Sequence, residues 1–186
     1  AIIDAFDIKL IETNEGTPAF LAKLRNHAAY LKVNALITDE LELDAGVRYE
    51  KARQTVSPIE VFNTPGPSLG ATNLNNDYWL PTATLTWTFQ PDMKLRVNAS
   101  QTIARPQFRE QLFQFYFDPD NNRQYRGNPA LQDSKLTNAE VRYEWYFAPD
   151  QRLSVAGFFK KIDRPIETFI TGVDLVTSFA NAPRAN

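Results

Sequence analysis

Chemistry needs convergent groups, and these 186 residues supply few of them. The one histidine, His27, sits among Arg25, Asn26 and Ala28, so a Ser-His-Asp triad has no visible partners and a multi-histidine metal site is excluded. There is no cysteine, which removes thiol nucleophiles, disulfides, Cys-ligated zinc and iron–sulfur centres from this chain. Asp118, Asp120, Asn121 and Asn122 form a carboxylate–amide cluster of the kind that attracts calcium, but the ordered ligand spacing and glycine of an EF-hand loop are missing. No metal site, cofactor or catalytic residue is therefore expected. The most suggestive set points to binding: Arg109, Phe115, Tyr116, Arg123, Tyr125 and Arg126 mix cations with aromatic rings inside one connection, beside Phe113. Such a mixture stacks on ligand rings and pairs with acidic groups, so these six residues are expected to meet substrate.

Composition narrows the class further. Twenty Lys and Arg against 22 Asp and Glu give a formal net charge of -2, without the basic excess that phosphate neutralisation requires, so no nucleic-acid partner is expected. No window approaches 18 consecutive apolar residues, which excludes a transmembrane helix. A membrane barrel escapes that test, because its apolar surface occupies every second residue and leaves the mean hydropathy ordinary, here -0.39.

The elements that must hold the charged residues are strands. Leu41, Leu43, Ala45, Val47 and Tyr49 alternate with Glu42, Asp44, Gly46, Arg48 and Glu50. Period two over this length, with charges on one face only, is a strand pattern and not a helical one. It recurs in Ala83, Leu85, Trp87 and Phe89, then in Leu95, Val97 and Ala99 against Lys94, Arg96 and Asn98. A third copy sets Val141, Tyr143 and Trp145 against Glu140, Arg142 and Glu144 and returns through Leu153, Val155 and Phe159, although Ala156 and Phe158 break the polar face there. Hairpins are thus expected around 28–50, 80–105 and 136–163, with tight turns at 38–40, 90–93 and 148–151. Long loops are expected over 51–79 and 106–135, projecting from the rim opposite the turns.

Short turns at one end and long connections at the other suit an antiparallel up-and-down transmembrane β-barrel segment, an all-β class. Trp87, Phe89, Trp145 and Phe147 all precede short turns, as in an interfacial aromatic girdle. On this reading Glu42, Asp44, Arg48, Arg96, Glu140, Arg142 and Glu144 face the lumen and pair across strands. A soluble β-rich module, such as one for carbohydrate, shows the same alternation with its apolar face packed on a second sheet. An outer-membrane or periplasmic enzyme would need a nucleophile–base set that is not visible.

Particular stretches separate these readings. Leu80-Pro81-Thr82-Ala83-Thr84-Leu85 followed by Leu95 to Phe108, with its Thr102-Ile103-Ala104-Arg105-Pro106 ending, resembles the barrel region of TonB-dependent outer-membrane receptors. Ala45 to Glu50, Gly127-Asn128-Pro129-Ala130-Leu131 before the strand bearing Glu140, and Phe158-Phe159-Lys160-Lys161-Ile162 resemble it in the same order. The resemblance implies an outer membrane of a Gram-negative bacterium and no enzymatic activity. It also implies import of a scarce nutrient of the siderophore, cobalamin or oligosaccharide class. Implied partners are the remaining barrel strands, a plug domain and an energy-coupling inner-membrane complex. Neither a plug nor a coupling motif is recognisable, so the chain is expected to be an interior portion of such a barrel.

Overall fold

A computed structural model describes residues 19–59, 71–118, 120–172 and 176–185. The alternating segments form strands β1 (Ala19–Thr38), β2 (Leu41–Ile59), β3 (Thr72–Gln90), β4 (Met93–Ala104), β7 (Ser134–Ala148) and β8 (Gln151–Asp163). They hydrogen-bond as consecutive antiparallel neighbours in the order β1-β2-β3-β4-β7-β8, with the short β11 (Arg184–Ala185) on β8. Between β4 and β7 lie a one-turn helix α1 (Phe108–Gln111) and the hairpin β5 (Phe115–Asp118) and β6 (Arg123–Arg126). Two further strands, β9 (Ile166–Ile170) and β10 (Thr177–Asn181), complete a second sheet in the order β5-β6-β10-β9.

The three tight turns fall at 39–40, 91–92 and 149–150, where the sequence places them. They share one rim: the Thr88 amide donates to the Glu40 carbonyl at 2.7 Å, and the Tyr146 amide to the Asp92 carbonyl at 2.8 Å. Asp150 takes a positive φ of 61°, a conformation that aspartate tolerates in turns.

Register fixes the faces. Leu43 pairs with Leu85, Leu85 with Val97, Val97 with Val141 and Val141 with Gly157, so one apolar row crosses five strands. Paired residues share a face, and this face is uncovered: Leu31, Val33, Val97, Val141, Leu153 and Val155 are all exposed. The second sheet lies against the other face, so among the described residues nothing packs on the apolar one. An apolar surface of this extent belongs against a bilayer, which displaces the soluble reading.

Aromatic rings bound that surface at two levels. Toward the turns, Trp87 and Phe89 sit 5.4 Å apart, Trp145 and Phe147 5.3 Å apart, and Phe89 stacks on Tyr143 at 6.4 Å. Eight residues away, Tyr49 and Trp79 pair across β2 and β3 with centroids 4.8 Å apart. At about 3.4 Å per residue and a tilt of about 40°, the belts stand roughly 20 Å apart, close to the height of an outer-membrane apolar band.

Two expectations about the connections need correction. Most of 51–79 is not loop: β2 continues to Ile59 and β3 begins at Thr72, leaving residues 60–70 outside the described residues. Beyond the Tyr49–Trp79 belt both strand faces are largely polar, so the hydrophobic alternation that reveals a strand disappears while its ladder persists. Residues 106–135 are not an irregular projecting loop either. They carry α1, β5 and β6, begin β7 at Ser134 and fold back onto the sheet. Pro81 marks the place where this becomes possible. The β3–β4 ladder starts at Thr82 paired with Ser100, and Pro81, with no N–H to donate, ends it while β3 continues beside β2.

These faces predict an asymmetric response in the intact barrel. Val97→Lys, near the middle of the apolar band, is expected to destabilise by about 2–4 kcal/mol. Thr84→Lys, on the opposite face, should leave equilibrium urea unfolding nearly unchanged.

Candidate functional site

Two groups of side chains carry the polar chemistry: the charged face of the large sheet, and the small domain resting on its upper part.

All seven residues expected to face inward lie on that one sheet face. Asp44 pairs with Thr84, Thr84 with Asn98 and Asn98 with Glu140; Glu42 pairs with Thr86, Thr86 with Arg96 and Arg96 with Arg142; Glu144 pairs with Lys94, and Arg48 with Leu80. Charges are matched locally. Lys32 reaches Asp44 at 3.0 Å, and Arg142 reaches Glu140 at 2.8 Å. Glu144, its side chain only 3% exposed, lies between Arg96 at 3.7 Å and Arg152 at 3.6 Å. Asn34 donates to both Glu42 at 2.7 Å and Asp44 at 3.1 Å. Each of the seven thus has an ionic or hydrogen-bonding partner on this face. The irregular return strand is as expected, with Phe158 on this face opposite Glu140 and 83% exposed.

The small domain is anchored where β2 passes beneath it. Glu50, Ala52, Gln54 and Val56, alternate residues of the charged face, are buried, and so are Leu112, Leu131, Val176 and Phe179 above them. Polar contacts fix the orientation. Gln54 Nε2 donates to the Pro106 carbonyl and to Gln111 Oε1, both at 2.8 Å, and Thr72 Oγ1 donates to the Gln111 carbonyl at 3.1 Å. Asn76 Nδ2 donates to Asp133 Oδ2 at 3.0 Å.

Both Arg-Pro steps end strands, as the missing proline N–H leads one to expect. Arg105 follows the last residue of β4 and binds Glu50 at 2.8 Å, on the carboxylate that also accepts from Arg48 at 2.7 Å. Arg164 follows β8 with a φ of 57°; its carbonyl accepts from Ser134 Oγ at 2.7 Å and Asn181 Nδ2 at 2.9 Å.

The Gly127-Asn128-Pro129 segment acts as a knot. A Cβ on Gly127 would stand 2.2 Å from the Leu112 carbonyl oxygen and 2.7 Å from that of Arg109. Asn128 donates from its amide to the Glu110 carbonyl at 2.6 Å and from Nδ2 to the Phe179 carbonyl at 2.9 Å, while Oδ1 accepts from the Ala130 amide at 2.9 Å.

Five of the six residues expected to meet substrate come together on this domain, in two clusters. On one face of the β5–β6 hairpin Tyr116 stacks on Tyr125 at 5.4 Å, Tyr125 on Phe179 at 5.9 Å, and the Arg109 guanidinium lies 5.0 Å over Tyr116. Burial pushes the Tyr116 phenol above its ordinary pKa, against the pull of Arg109. On the opposite face Arg126 lies 5.0 Å from the Phe113 ring and 5.6 Å from Phe115, and Phe113, Phe115 and Phe117 are exposed. Arg123 stands apart, exposed at the hairpin tip across from Asp118. Asp118 and Asn121 serve the turn itself, Asn121 Nδ2 donating to Asp118 Oδ2 at 2.9 Å and to the Tyr125 hydroxyl at 2.7 Å. No cluster of metal-ligating side chains occurs among the described residues. Phe179 is the member that sequence reasoning misses. It arrives on β10, which runs parallel to β6 through Thr177 and Tyr125, and no local signal announces so distant a pairing.

A ladder of antiparallel hairpins with one apolar face, one ion-paired face and a folded loop domain defines a section of an outer-membrane barrel, and comparison with known proteins agrees. Residues 10–186 match the family described as TonB dependent receptor-like, beta-barrel, and the chain belongs to that family. Barrels of this family are Gram-negative outer-membrane proteins of transporters, not enzymes. No curated protein matches the sequence. Among solved structures, the chain is similar to the ferric-catecholate import receptor Fiu of E. coli K12, at 15% identity and a TM-score of 0.62, covering 89% of this chain and 24% of that one. It is similar to the hemophore receptor HasR of Serratia marcescens, at 16% identity and a TM-score of 0.62, covering 90% and 30%. It is also similar to the ferric enterobactin receptor PfeA of Pseudomonas aeruginosa, at 15% identity and a TM-score of 0.53, covering 88% and 32%. The chain thus spans about a quarter to a third of the length of these receptors.

Crowding at Gly127 gives a direct test of the domain's packing. Gly127→Ala in the intact barrel should expose 106–133 to limited proteolysis, while the strands keep their heat resistance. Protection equal to wild type would show that the carbonyls around Gly127 yield easily.

Proposed function

We propose that this chain forms part of the barrel of an outer-membrane importer, and that its small domain contributes to substrate recognition from within the barrel mouth. Arg109, Phe115, Tyr116, Arg123, Tyr125 and Arg126 are the recognising residues, and they divide the work. Tyr116 and Tyr125, stacked with Phe179 under Arg109, hold the domain's shape. Phe115, Arg126 and the exposed Arg123 meet the ligand. The observation that carries the reading is the half-buried Arg126 guanidinium lying against the exposed Phe113 and Phe115, a cation held over rings at the domain surface. That surface suits an anionic ligand carrying aromatic or other flat rings. Within the nutrient classes such receptors import, it favours a ferric catecholate or a heme over an uncharged oligosaccharide, in keeping with the ligands named for Fiu, PfeA and HasR.

In the same reading the ion-paired face lines the lumen, where Glu42, Asp44, Arg48, Arg96, Glu140, Arg142 and Glu144 shape the interior field and hold a plug domain. Energy would reach the parent receptor through an inner-membrane complex acting on that plug.

The assignment is tested by equilibrium binding of ferric enterobactin and of heme to the full-length parent. Replacing Phe115, Arg123 and Arg126 together should weaken the bound ligand at least about tenfold, roughly 1.4 kcal/mol. Replacing Arg96 and Arg142 together should change affinity far less. Undiminished affinity in a folded triple variant would leave these residues as loop packing.

A further inference from the structure

The apolar face does not stop at the Tyr49–Trp79 belt. Above it β1 and β2 run on, and the same face turns basic. Lys51 and Arg53 follow Tyr49 by two and four residues, about 7 and 14 Å along the strand. The register sets His27 opposite Lys51, Arg25 opposite Arg53, and Lys23 opposite Thr55. All five basic side chains are exposed.

Their pairing is uncompensated, unlike that of Arg96 and Arg142, which face each other across β4 and β7 with Glu144 at 3.7 Å from the one and Glu140 at 2.8 Å from the other. Like charges directly opposed across a ladder repel, yet Arg25 faces Arg53. Among the described residues no carboxylate lies within ion-pair distance of Lys23, Arg25, Lys51 or Arg53. Arg53 Nε donates to the neutral Asn73 Oδ1 at 3.2 Å. Asp77, across from Lys51, is the one acid on this part of the face among the described residues. On the reverse side of the same strands, by contrast, Lys32 and Arg48 are matched to Asp44 and Glu50. Lys23, Arg25, Arg53 and Thr55 line a shared recess of about 210 Å³.

We propose that this patch binds the phosphate groups of an anionic glycolipid in the outer leaflet of the membrane. Its place in the fold selects that partner. The patch looks outward, away from the ion-paired face and the small domain, so a ligand passing through the barrel does not meet it. It stands at the rim of the long connections, the exterior rim of an outer-membrane barrel. The polar layer beyond the hydrocarbon begins at the aromatic belt and is about 5–7 Å deep, which sets Lys51 and His27 within it and Arg25 and Arg53 a few ångströms above it, from where their long side chains reach back. Below them Ala29, Leu31 and Val33 continue the same face and accept acyl chains. Guanidinium forks chelate phosphate oxygens in pairs, and a phosphate between Arg25 and Arg53 turns their mutual repulsion into shared attraction.

The test uses the full-length receptor in a neutral detergent and the binding of diphosphorylated lipid A. Neutralising Lys23, Arg25, Lys51 and Arg53 together with glutamine should weaken binding at least tenfold. Neutralising Lys94 and Lys160 on the opposite face should change it less than twofold. Wild-type receptor should bind the same lipid stripped of its phosphates at least tenfold more weakly, a comparison that needs no variant to fold. Millimolar inorganic phosphate should leave the complex intact. Equal wild-type binding of both lipids, wild-type affinity in a folded quadruple variant, or full displacement by inorganic phosphate would each overturn the proposal.

Discussion

Hydrocarbon offers the backbone no hydrogen-bond partner, and every feature of this chain follows from that constraint. Each N–H and C=O within the band must bond to a neighbouring strand, since a single unsatisfied group costs several kcal/mol. Between its two outer strands the ladder β1-β2-β3-β4-β7-β8 meets the requirement with matched registers and short turns. Once the ladder is fixed, side chains alternate between two media, and one sequence must satisfy both. Leu43, Leu85, Val97 and Val141 answer to the bilayer, while Asp44, Thr84, Asn98 and Glu140, one residue along, answer to the polar side.

The small domain uses the same strands differently. Above the upper belt lipid no longer dictates one face, and β2 can bury Glu50, Ala52, Gln54 and Val56 against α1 and its neighbours. Arg105 ties the end of β4 to Glu50, a carboxylate already held by Arg48. The point where the chain leaves the membrane ladder is therefore also where the domain is fastened. Removing the Glu50 charge would strand two guanidinium groups, so this contact constrains the domain far more than a surface ion pair would.

Legibility in the sequence tracks how many media each residue faces. Where strands separate lipid from a polar side, alternation is sharp, and the turns, the faces and seven of the charged positions on the ion-paired face follow from residue type. Where both sides are polar, as from Lys51 to Ile59, the strand persists without a hydrophobic signature. The β5–β6 hairpin is short, and its stacking partner Phe179 pairs through β10 more than fifty residues downstream. Composition does mark that connection as rich in arginine and aromatic residues. It cannot divide them into a packed stack of Tyr116 and Tyr125 and an exposed group around Arg126, because the division is made by the second sheet. Gly127 is legible only as part of a motif; the carbonyls crowding it come from α1 and the residue that follows.

The central claim is that successive residues of β4 and β7 face different media. Spin labels placed one at a time on single-cysteine substitutions at 95–100 and 139–144 test it in the parent receptor, reconstituted in a bilayer. This stretch contributes no native cysteine to confuse the label. Power saturation with oxygen, which partitions into lipid, and with a water-soluble nickel chelate reports the medium at each site. Residues 95, 97, 99, 139, 141 and 143 should favour oxygen, and the residues between them the chelate, with strict period two in both strands. Uniform accessibility along either strand, or the opposite phase, would contradict the account.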